Sequence, residues 1–326
     1  MIAGPMIAGL AVFLIVVCAV LWLFSRLAVL LLERRFAPTG SLLDFPFGRV
    51  HVVDQPAARP DAPCVVLIHG AAGNLRDLLH ALSGHLAGRF RIIVIDRPGH
   101  GFSTRRDPVW SEPRRQAEAL DAVLARLGVD RAIVVGQSWG GAFAAAFALR
   151  YPKRIQGLVF VSPATHPWPS GIGWHIRVGA LPVVGRLFAE LAAMPIGLAL
   201  IPGALRGIFG PNAVPPDYRA RIGAALVLRP RTFVANCRDI ADFYGHVTAM
   251  AAHYDRIGAP TENLEPADAF RAYASVVRRD AEATLAAVEL VRSREAVSSQ
   301  LVDNLNASIH VRALLTDLFL VDDLLG

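Results

Sequence analysis

Residues 131–141, RAIVVGQSWGG, run from an apolar strand into a Gly/Ala-rich helix through a serine that is flanked by small residues. The GxSxG pattern at 136–140 is informative because of this setting, since a sharp strand-to-helix turn needs small residues on both sides. Such a turn lifts the hydroxyl of Ser138 clear of the sheet edge, and Gly141 lets the helix pack closely. The helix N-terminus beneath it offers free N–H groups and the positive end of the helix dipole. The stretch therefore predicts Ser138 as a nucleophile.

Two upstream loops fit the same site. The loop HGAAGN, which begins at His69, follows an apolar strand, and its small residues let a backbone N–H approach a reacting carbonyl group. Ala71 and Trp139 are therefore the predicted oxyanion donors. We interpret His69 as a histidine that braces its loop. The segment DRPGHGFS at 96–103 is interpreted as loop architecture, with His100 as part of it rather than as a catalytic base.

Strands and helices alternate along residues 45–165, which predicts the core of the fold. Short β-branched runs bounded by Gly, Pro and Asp are typical of strands, and the segments between them carry helical spacing or helix caps. Strands that are apolar throughout and alternate with helices indicate an α/β fold, with a mostly parallel sheet covered on both faces. The predicted strands are 49–53, 64–68, 91–96, 131–136 and 157–162, and the predicted helices are 75–88, a second from its cap at Ser111 to Gly128, and a third that ends at Arg150.

Residues 166–253 lose this alternation and predict a region of helices. They are rich in Pro, Gly and apolar side chains. Within them, Leu191–Leu205 is uncharged for 15 residues but is interrupted by Pro195 and Pro202, which favours short helices with an apolar surface over a second membrane span. An apolar surface of this kind suits an acyl chain, because each buried methylene contributes about 0.8 kcal/mol.

The N-terminal segment predicts a membrane anchor. Ile2–Phe24 contains 23 consecutive uncharged residues, about 35 Å of helix, which is enough to cross a hydrocarbon core of about 30 Å. The segment lacks the basic start and the small-residue cleavage site of a signal peptide, so we favour an uncleaved anchor within residues 1–35. Arg26, Arg34 and Arg35 follow the span while nothing basic precedes it, and the positive-inside rule then places the body of the protein on the cytoplasmic side.

Composition excludes several classes of protein. Only 18% of the 326 residues are charged and 54% are hydrophobic, so the chain is too apolar to be disordered, and a single long uncharged region does not make a polytopic transporter. The 33 Lys and Arg residues, all arginine except Lys153, are scattered rather than clustered, which argues against nucleic-acid binding. Cys18, Cys64 and Cys237 are too widely spaced for a disulfide framework or a metal site.

Taken in order, these motifs resemble the α/β-hydrolase family, of the type with a lid inserted after the sixth strand, and the resemblance implies that residues 166–253 form this helical lid. The resemblance covers about residues 45–261 and implies a nucleophile–acid–histidine triad, no cofactor, and substrates such as esters, lipids or related acyl compounds. Serine as the nucleophile disfavours the epoxide hydrolase and haloalkane dehalogenase branches of the family, which use aspartate there. The matching pieces are the HG loop at 69–70, DRPGHGFS at 96–103, GQSWGG at 136–141, YPKRIQGLVFVSPA at 151–164 and YDRIGAPT at 254–261.

Residues 254–326, an atypical C-terminal part of the core, depart from the family pattern after Thr261. The sequence ENLEPADAF stands where an aliphatic strand is expected, residues 267–303 have helical spacing, and no Gly-His pair follows. Asp268 lies near the position expected for the acid, and His310 is the only histidine in this part, so these two are the candidate acid and base. Three interpretations stay open: a reading-frame slip in the coding sequence, a hydrolase-like protein that has lost its base, and use of His310 from an unusual element.

The predicted function is that of a membrane-anchored serine hydrolase resembling an esterase or lipase. Ser138 attacks an acyl carbonyl, the N–H groups of Ala71 and Trp139 hold the oxyanion, and water hydrolyses the acyl-enzyme. A carbon–carbon bond hydrolase or a perhydrolase shares the same nucleophile pattern. A rival from another class is a catalytically inactive hydrolase fold that serves as a binding or scaffold protein at the membrane. The predicted partners are a small-molecule ester or lipid and the membrane, with no nucleic acid, metal or cofactor.

Overall fold

A six-stranded mixed sheet forms the centre of the described chain. The computed structural model describes residues 3–167, 171–210 and 212–257. The strands are β1 (Ser41–Phe45), β2 (Gly48–Gln55), β3 (Cys64–Ile68), β4 (Arg91–Ile95), β5 (Ala132–Gln137) and β6 (Ile155–Val161). They lie in the order β1-β2-β4-β3-β5-β6, in which β2 pairs antiparallel with β1 and β4 and the remaining neighbours pair in parallel. The predicted, mostly parallel sheet is confirmed, and it begins before residue 45.

Strand β3 lies where the strand order reverses. All of its residues are buried, and it pairs in parallel with β4 on one side and β5 on the other, so that Val66 lies opposite both Ile93 and Val134. The chain passes from β3 to one neighbour and later returns to the other, so the loops that leave β3 and β5 diverge at the carboxyl ends of these strands. Such a switch point opens a crevice in which ligands bind in open α/β sheets. The topology therefore places the HG loop and the serine turn at one edge of the sheet.

Three helices cover the two faces of the sheet: α2 (Leu75–Leu86), α3 (Pro113–Arg126) and α4 (Trp139–Arg150). Helices α3 and α4 form one core with the sheet through side chains such as Leu120, Phe143 and Phe147. Helix α2 packs Leu75 and Leu78 into a second core on the opposite face. Each fully buried side chain of this size contributes about 1.5–3 kcal/mol, so the two cores hold the sheet rigidly beneath the loops at its edge.

The start of α3 differs from the prediction. Ser111 does not cap this helix, because it ends a short 3₁₀ turn, Pro108–Ser111, and Glu112 occupies the N-cap position without a side-chain hydrogen bond. The hydroxyl of Ser111 donates instead to Asp242 Oδ2 at 3.1 Å. A tertiary contact has therefore replaced the local cap that the sequence pattern indicated.

Only helices and turns follow β6 among the described residues. They are α5 (Trp174–Ala180), α6 (Val184–Phe188), a π-helical turn (Ala189–Ala193), α7 (Met194–Phe209), α8 (Tyr218–Ile222), a 3₁₀ turn (Ala224–Leu228), α9 (Pro230–Ala251) and a last 3₁₀ turn (Tyr254–Arg256). The prediction that prolines divide the apolar stretch into short helices is wrong, since Val184–Phe209 is one helical segment of 26 residues, long and apolar enough to cross a membrane. Pro195 directly follows the first residue of α7 after the π-helical turn at Ala189–Ala193, and Pro202 lies inside α7, so neither proline ends the helical segment.

Helix α1 (Ala3–Arg35) precedes the sheet and has 33 residues. Its stretch Met6–Arg35 is long and apolar enough to cross a membrane. Most of the described apolar side chains of α1 are exposed, but Val29 and Leu32, near its end, pack against Ile201 of α7. The helix thus projects from the body of the protein along most of its length and is docked to the lid at its C-terminal end.

Candidate active site

The turn between β5 and α4 is a strained elbow with Ser138 at its tip. Ser138 has φ 52° and ψ −122°, a left-handed conformation that is uncommon for a residue with a side chain. Its N–H donates to Val161 O at 3.0 Å, and its carbonyl oxygen accepts from Gly141 N at 2.8 Å and from Ala164 N at 2.9 Å. These backbone bonds hold the conformation and leave the half-buried hydroxyl at the carboxyl end of the sheet.

The glycines of the elbow are required by close backbone contacts. A Cβ at Gly136 would lie 2.5 Å from Gly140 O, and one at Gly140 would lie 2.4 Å from Ile68 O, both far inside van der Waals contact. A Cβ at Gly70 would lie 2.9 Å from Ser138 Cβ. The GxSxG pattern and the HG loop are therefore two parts of one packing arrangement, in which β3, β5 and α4 approach each other without side chains between them.

The predicted oxyanion donors lie on the two loops that meet at this edge. Trp139 is the first residue of α4, so its N–H has no acceptor within the helix. Ala71 follows Gly70, whose own N–H donates to Gln137 Oε1 at 2.9 Å and so ties the HG loop to the elbow. Within the described residues, no hydrogen-bond partner occupies the Ala71 N–H. Both groups are thus available at the serine turn, and their role as oxyanion donors stays a prediction.

His69 is fully buried and both of its ring nitrogens are engaged by the loops. Nδ1 lies 2.8 Å from Gly70 O, and Nε2 accepts from Arg97 N at 3.1 Å. Burial and the positive charge of Arg97 lower the pKa of His69 to about 3. The imidazole is therefore neutral at ordinary pH, and its position agrees with the interpretation of His69 as a brace for its loop.

The buried guanidinium of Arg97 contacts both the HG loop and Trp139 of the serine elbow. Its Nε donates to His69 O at 3.1 Å and its Nη2 to Gly70 O at 3.3 Å. The guanidinium carbon lies 4.0 Å from the centroid of the Trp139 ring, a cation–π contact. Nη1 donates to Asp239 Oδ2 at 2.8 Å, and both partners are fully buried. The sequence alone does not predict either charge as part of the site, although Arg97 lies within the DRPGHGFS segment.

Asp239, on α9, accepts further hydrogen bonds beneath the site. Its Oδ2 accepts from Gln116 Nε2 at 3.3 Å, and its Oδ1 accepts from the guanidinium of Arg105. Two arginines thus share one carboxylate, which leaves one net positive charge in the buried cluster. Burial lowers the pKa of Arg97 to about 10, so Arg97 stays charged at neutral pH. His100 lies within this cluster and is also fully buried, and burial with the two arginine charges places its pKa well below the ordinary value.

Asp96 organises the loop that follows β4. Its Oδ1 accepts from Leu75 N at 2.7 Å, and its Oδ2 accepts from Phe102 N at 2.8 Å and lies 2.6 Å from His51 Nδ1. Burial alone would raise the pKa of this carboxyl, but the bonds from His51 and from the backbone lower it overall. A Cβ at Gly101 would collide with this carboxylate, so the loop also requires glycine there. This arrangement is the loop architecture predicted for 96–103.

The predicted acid and base, Asp268 and His310, lie outside the described residues. Within the described ranges, no histidine forms a hydrogen bond with Ser138 Oγ. His69 and His100 are committed to loop contacts, and His51 is paired with Asp96. The assignment of Asp268 and His310 therefore stays a prediction.

The thiols of the described residues do not compete with Ser138 as nucleophiles. Cys64 and Cys237 are buried, and burial raises the pKa of the Cys64 thiol to about 11 and that of Cys237 to about 12, so both are protonated at neutral pH. Cys18 is exposed on α1, away from the sheet. No group of three His, Cys, Asp or Glu side chains in the described part of the chain is arranged to hold a metal ion.

The buried neutral His69 predicts a loss of stability in acid. Its pKa is about 3 in the folded chain, against about 6.5 when exposed, so only the unfolded chain takes up a proton between these values. The free energy of unfolding should therefore fall as the pH drops below about 6.5, and His69 alone should remove about 2 kcal/mol at pH 5. Urea unfolding in detergent micelles at pH 7.5 and pH 5 measures this difference.

The His69→Gln variant should show a smaller difference between the two pH values, with His100 supplying part of what remains. The exposed His80, on α2, provides the matched control, and His80→Gln should keep the wild-type difference. An unchanged difference in His69→Gln would mean that His69 does not resist protonation in the folded chain.

Comparison with known proteins places this geometry in a family. Residues 63–217 match the family model for the alpha/beta hydrolase fold. The 2-hydroxy-6-oxononadienedioate/2-hydroxy-6-oxononatrienedioate hydrolase of Paraburkholderia phymatum is 35% identical over 120 residues, which are 36% of this chain and 41% of the relative. Haloalkane dehalogenase 2 of Mycobacterium bovis is 31% identical over 126 residues, which are 38% of this chain and 41% of the relative.

The solved structures agree with this placement at the level of the fold. A protein of Pseudomonas aeruginosa PAO1, assigned as a hydrolytic enzyme, superposes with a TM-score of 0.51 at 21% identity over 72% of this chain and 79% of its own. The chain spans about two fifths of the length of the curated relatives it matches. The matched residues contain β3, the HG loop and the serine elbow, and this part of the chain has the α/β-hydrolase fold.

Proposed function

We propose that this chain is a membrane-anchored serine hydrolase that acts on carboxylic esters or lipid-like acyl compounds. The observation that carries the proposal is the elbow, which holds Ser138 at φ 52° directly before the first N–H of α4. In the proposed reaction, Ser138 Oγ bonds to the acyl carbon while the N–H groups of Ala71 and Trp139 stabilise the oxyanion. The alcohol leaves with a proton, and water then cleaves the acyl-enzyme to release the acid and restore Ser138.

Arg97 supports this reaction as a positioning residue. It bonds the carbonyl groups of His69 and Gly70, directly before Ala71, and it lies against the ring of Trp139. The guanidinium therefore fixes the backbone on both sides of the proposed oxyanion hole. Because the charge is buried, it acts in a medium of lower dielectric constant than water, and its field favours negative charge on the carbonyl oxygen.

The reaction also needs a general base, and we propose His310 for this role. His310 would accept the proton of Ser138 Oγ and pass it to the leaving alcohol, while Asp268 would orient its ring. A serine hydroxyl without a base is a weak nucleophile. If neither residue serves, the oxyanion hole alone leaves only residual catalysis, and the chain then functions as a binding or scaffold protein.

The membrane part of the proposal rests on α1. Residues 2–24 would span the bilayer, and Arg34 and Arg35 would stay with the rest of the chain on the cytoplasmic side. The exposed apolar side chains along α1 support this arrangement, because in water they would remain uncovered. A substrate dissolved in the same bilayer would reach the lid without crossing bulk water.

A fluorophosphonate probe tests the proposal, since it bonds to an activated serine and not to an inert one. The full-length chain should become labelled, and mass spectrometry should locate the label on Ser138. On p-nitrophenyl esters, kcat/KM should rise from acetate to octanoate, by up to about fourfold for each methylene that becomes buried. A strict preference for acetate would exclude a lipid-like substrate. Absence of labelling would overturn the proposed hydrolase and favour the binding role.

A carbon–carbon bond hydrolase is the second candidate function. The relative from Paraburkholderia phymatum, a 2-hydroxy-6-oxononadienedioate/2-hydroxy-6-oxononatrienedioate hydrolase, is 35% identical over 120 residues. The same Ser138 and oxyanion donors would serve that reaction. The test offers the chain a 2-hydroxy-6-oxo-dienoate and measures its consumption by the loss of its absorbance. Consumption of this compound without hydrolysis of p-nitrophenyl esters would favour this candidate over the esterase.

A further inference from the structure

Helix α7 carries both buried and exposed apolar side chains. Met194 and Ile201 are buried between the end of α1 and Leu228. Ile196, Leu200 and Ile208 are 51%, 62% and 70% exposed, and they define the outer stripe of the helix. The positions that continue this outer stripe are alanine or glycine and are also exposed, namely Ala199, Gly203, Ala204 and Gly207. A helix on the surface of a protein in water has a polar outer side, which α7 lacks along this stripe.

Further exposed apolar side chains precede α7 in the lid. Trp174, Val183 and Leu187 are 68%, 70% and 57% exposed. Exposed apolar side chains in such number mark a site of association with a protein or a membrane. Because these three side chains are mostly exposed, they do not enclose a substrate in the described structure. The apolar character of the lid therefore needs a partner other than an acyl chain bound at Ser138.

The surface is continuous with helix α1. Where α1 docks on the lid, Leu27, Leu30 and Leu31 remain 55%, 55% and 56% exposed. A groove of about 320 Å³ lies between the two helices and is lined almost entirely by aliphatic and aromatic side chains, with Phe24 and Leu198 on opposite walls. Arg35 is the one charged residue that lines the groove, and its other walls join the apolar surface of α1 to that of α7.

The charges at the junction are paired with each other. Arg26 is the only charged residue among residues 1–32, and its Nη2 lies 2.8 Å from Oε1 of Glu190, which is the only acid between 184 and 209. Residues 2–32 correspond to about 46 Å of helix, which exceeds the hydrocarbon core by about 15 Å. The docked end of α1, with the lid beside it, therefore lies at the level where a bilayer ends and its headgroups begin.

We propose that the outer stripe of α7 lies on the lipid bilayer, so that α1 and the lid contact the same membrane surface. This inference rests on the proposed anchoring by α1 but not on the chemistry of Ser138. Besides Glu190, the charged residues of the segment Val184–Phe209 are Arg186 and Arg206, and both are exposed. Exposed basic side chains fit a membrane surface that contains anionic phospholipids. The partner is thus a bilayer with anionic headgroups, and α7 lies along it rather than across it.

The test uses the full-length chain in nanodiscs of phosphatidylcholine and phosphatidylglycerol. Cys64 and Cys237 are buried, so a Cys18→Ser background leaves single reactive positions for an environment-sensitive fluorophore at Leu200→Cys or Ile208→Cys. The matched control is Arg126→Cys, at the exposed end of α3. The native Cys18, on α1, reports the anchor itself. Lipids with a doxyl quencher near the headgroup or near the end of the acyl chain measure the depth of each label.

We expect the labels at 200 and 208 to be quenched at least twofold more than the control, and more by the shallow quencher than by the deep one. Quenching at 200 no greater than at the control, with Cys18 strongly quenched, would overturn the lid contact and leave the anchor in place. Loss of quenching at Cys18 as well would overturn the anchoring. Stronger quenching at 200 by the deep lipid would mean that α7 crosses the membrane, which contradicts a helix lying on its surface.

Discussion

We expect the Ser138→Ala variant to lose ester hydrolysis and probe labelling, with a fall in kcat on the order of 10⁶-fold. Alanine removes only the Oγ atom that forms the bond to the acyl carbon. The elbow is held by backbone bonds, from Ser138 N to Val161 O at 3.0 Å and from Gly141 N and Ala164 N to Ser138 O, and these do not involve the side chain. The variant should therefore keep the wild-type circular dichroism spectrum and melting temperature in the same detergent.

Ser83 provides the matched control for this experiment. Its hydroxyl donates to Leu79 O within α2, so Ser83→Ala should keep the wild-type kcat/KM and the wild-type label. Activity that survives in Ser138→Ala would remove serine chemistry from this chain. The His310→Ala variant should fall to the level of Ser138→Ala, because both groups belong to one proton-transfer unit. Unchanged activity in His310→Ala would overturn the assignment of the base and leave that of Ser138 in place.

The second large effect concerns the ion pair beneath the oxyanion loops. We expect Asp239→Asn to lower the free energy of unfolding by about 3–5 kcal/mol, which is the usual cost of removing one partner of a buried pair. Asparagine keeps the size of the side chain but leaves Arg97, with a fully buried side chain, and Arg105, with a side chain 6% exposed, without a counter-charge. Chemical denaturation in detergent micelles measures the change.

Asp242, three residues further along α9, supplies the control for this variant. It is exposed and accepts one hydrogen bond, from Ser111 Oγ. Asp242→Asn should therefore change the free energy of unfolding by less than about 1 kcal/mol. Equal effects of the two variants would show that the buried carboxylate does not hold the arginines, and the role of Arg97 as a positioning residue would then fail with it.

Most strands of the sheet could be predicted because each one is encoded locally. The run CVVLI is buried throughout, and the structure has this strand at Cys64–Ile68, as the sequence indicates. The prediction lacks β1, since Ser41–Phe45 lies at the edge of the sheet, is partly exposed and contains an aspartate. Such a strand depends on its neighbour β2 rather than on its own pattern.

The elbow and the buried charges are opposite cases. The spacing of Gly136 and Gly140 around the serine is a local consequence of close backbone contacts, so the sequence alone predicts the turn. Arg97 and Asp239 are 142 residues apart. The sequence around each of them looks like that around an ordinary charged residue exposed on a loop or a helix. Their pairing follows from the tertiary fold. The sequence therefore predicts Ser138 as the nucleophile but does not predict that Arg97 contacts the HG loop and Trp139 beside it.

The long separation between Arg97 and Asp239 in the sequence also affects the order in which the chain folds. Closing a loop of 142 residues costs about 4 kcal/mol of chain entropy, which is recovered only when the contacts of α9 form together. During synthesis α1 leaves the ribosome first and β1 to β6 follow, while the carboxylate that neutralises Arg97 is translated much later. Until α9 docks, the two arginines beneath the serine turn have no counter-ion. The site therefore reaches its final geometry late in folding, when α9 packs against a sheet whose strands were translated before it.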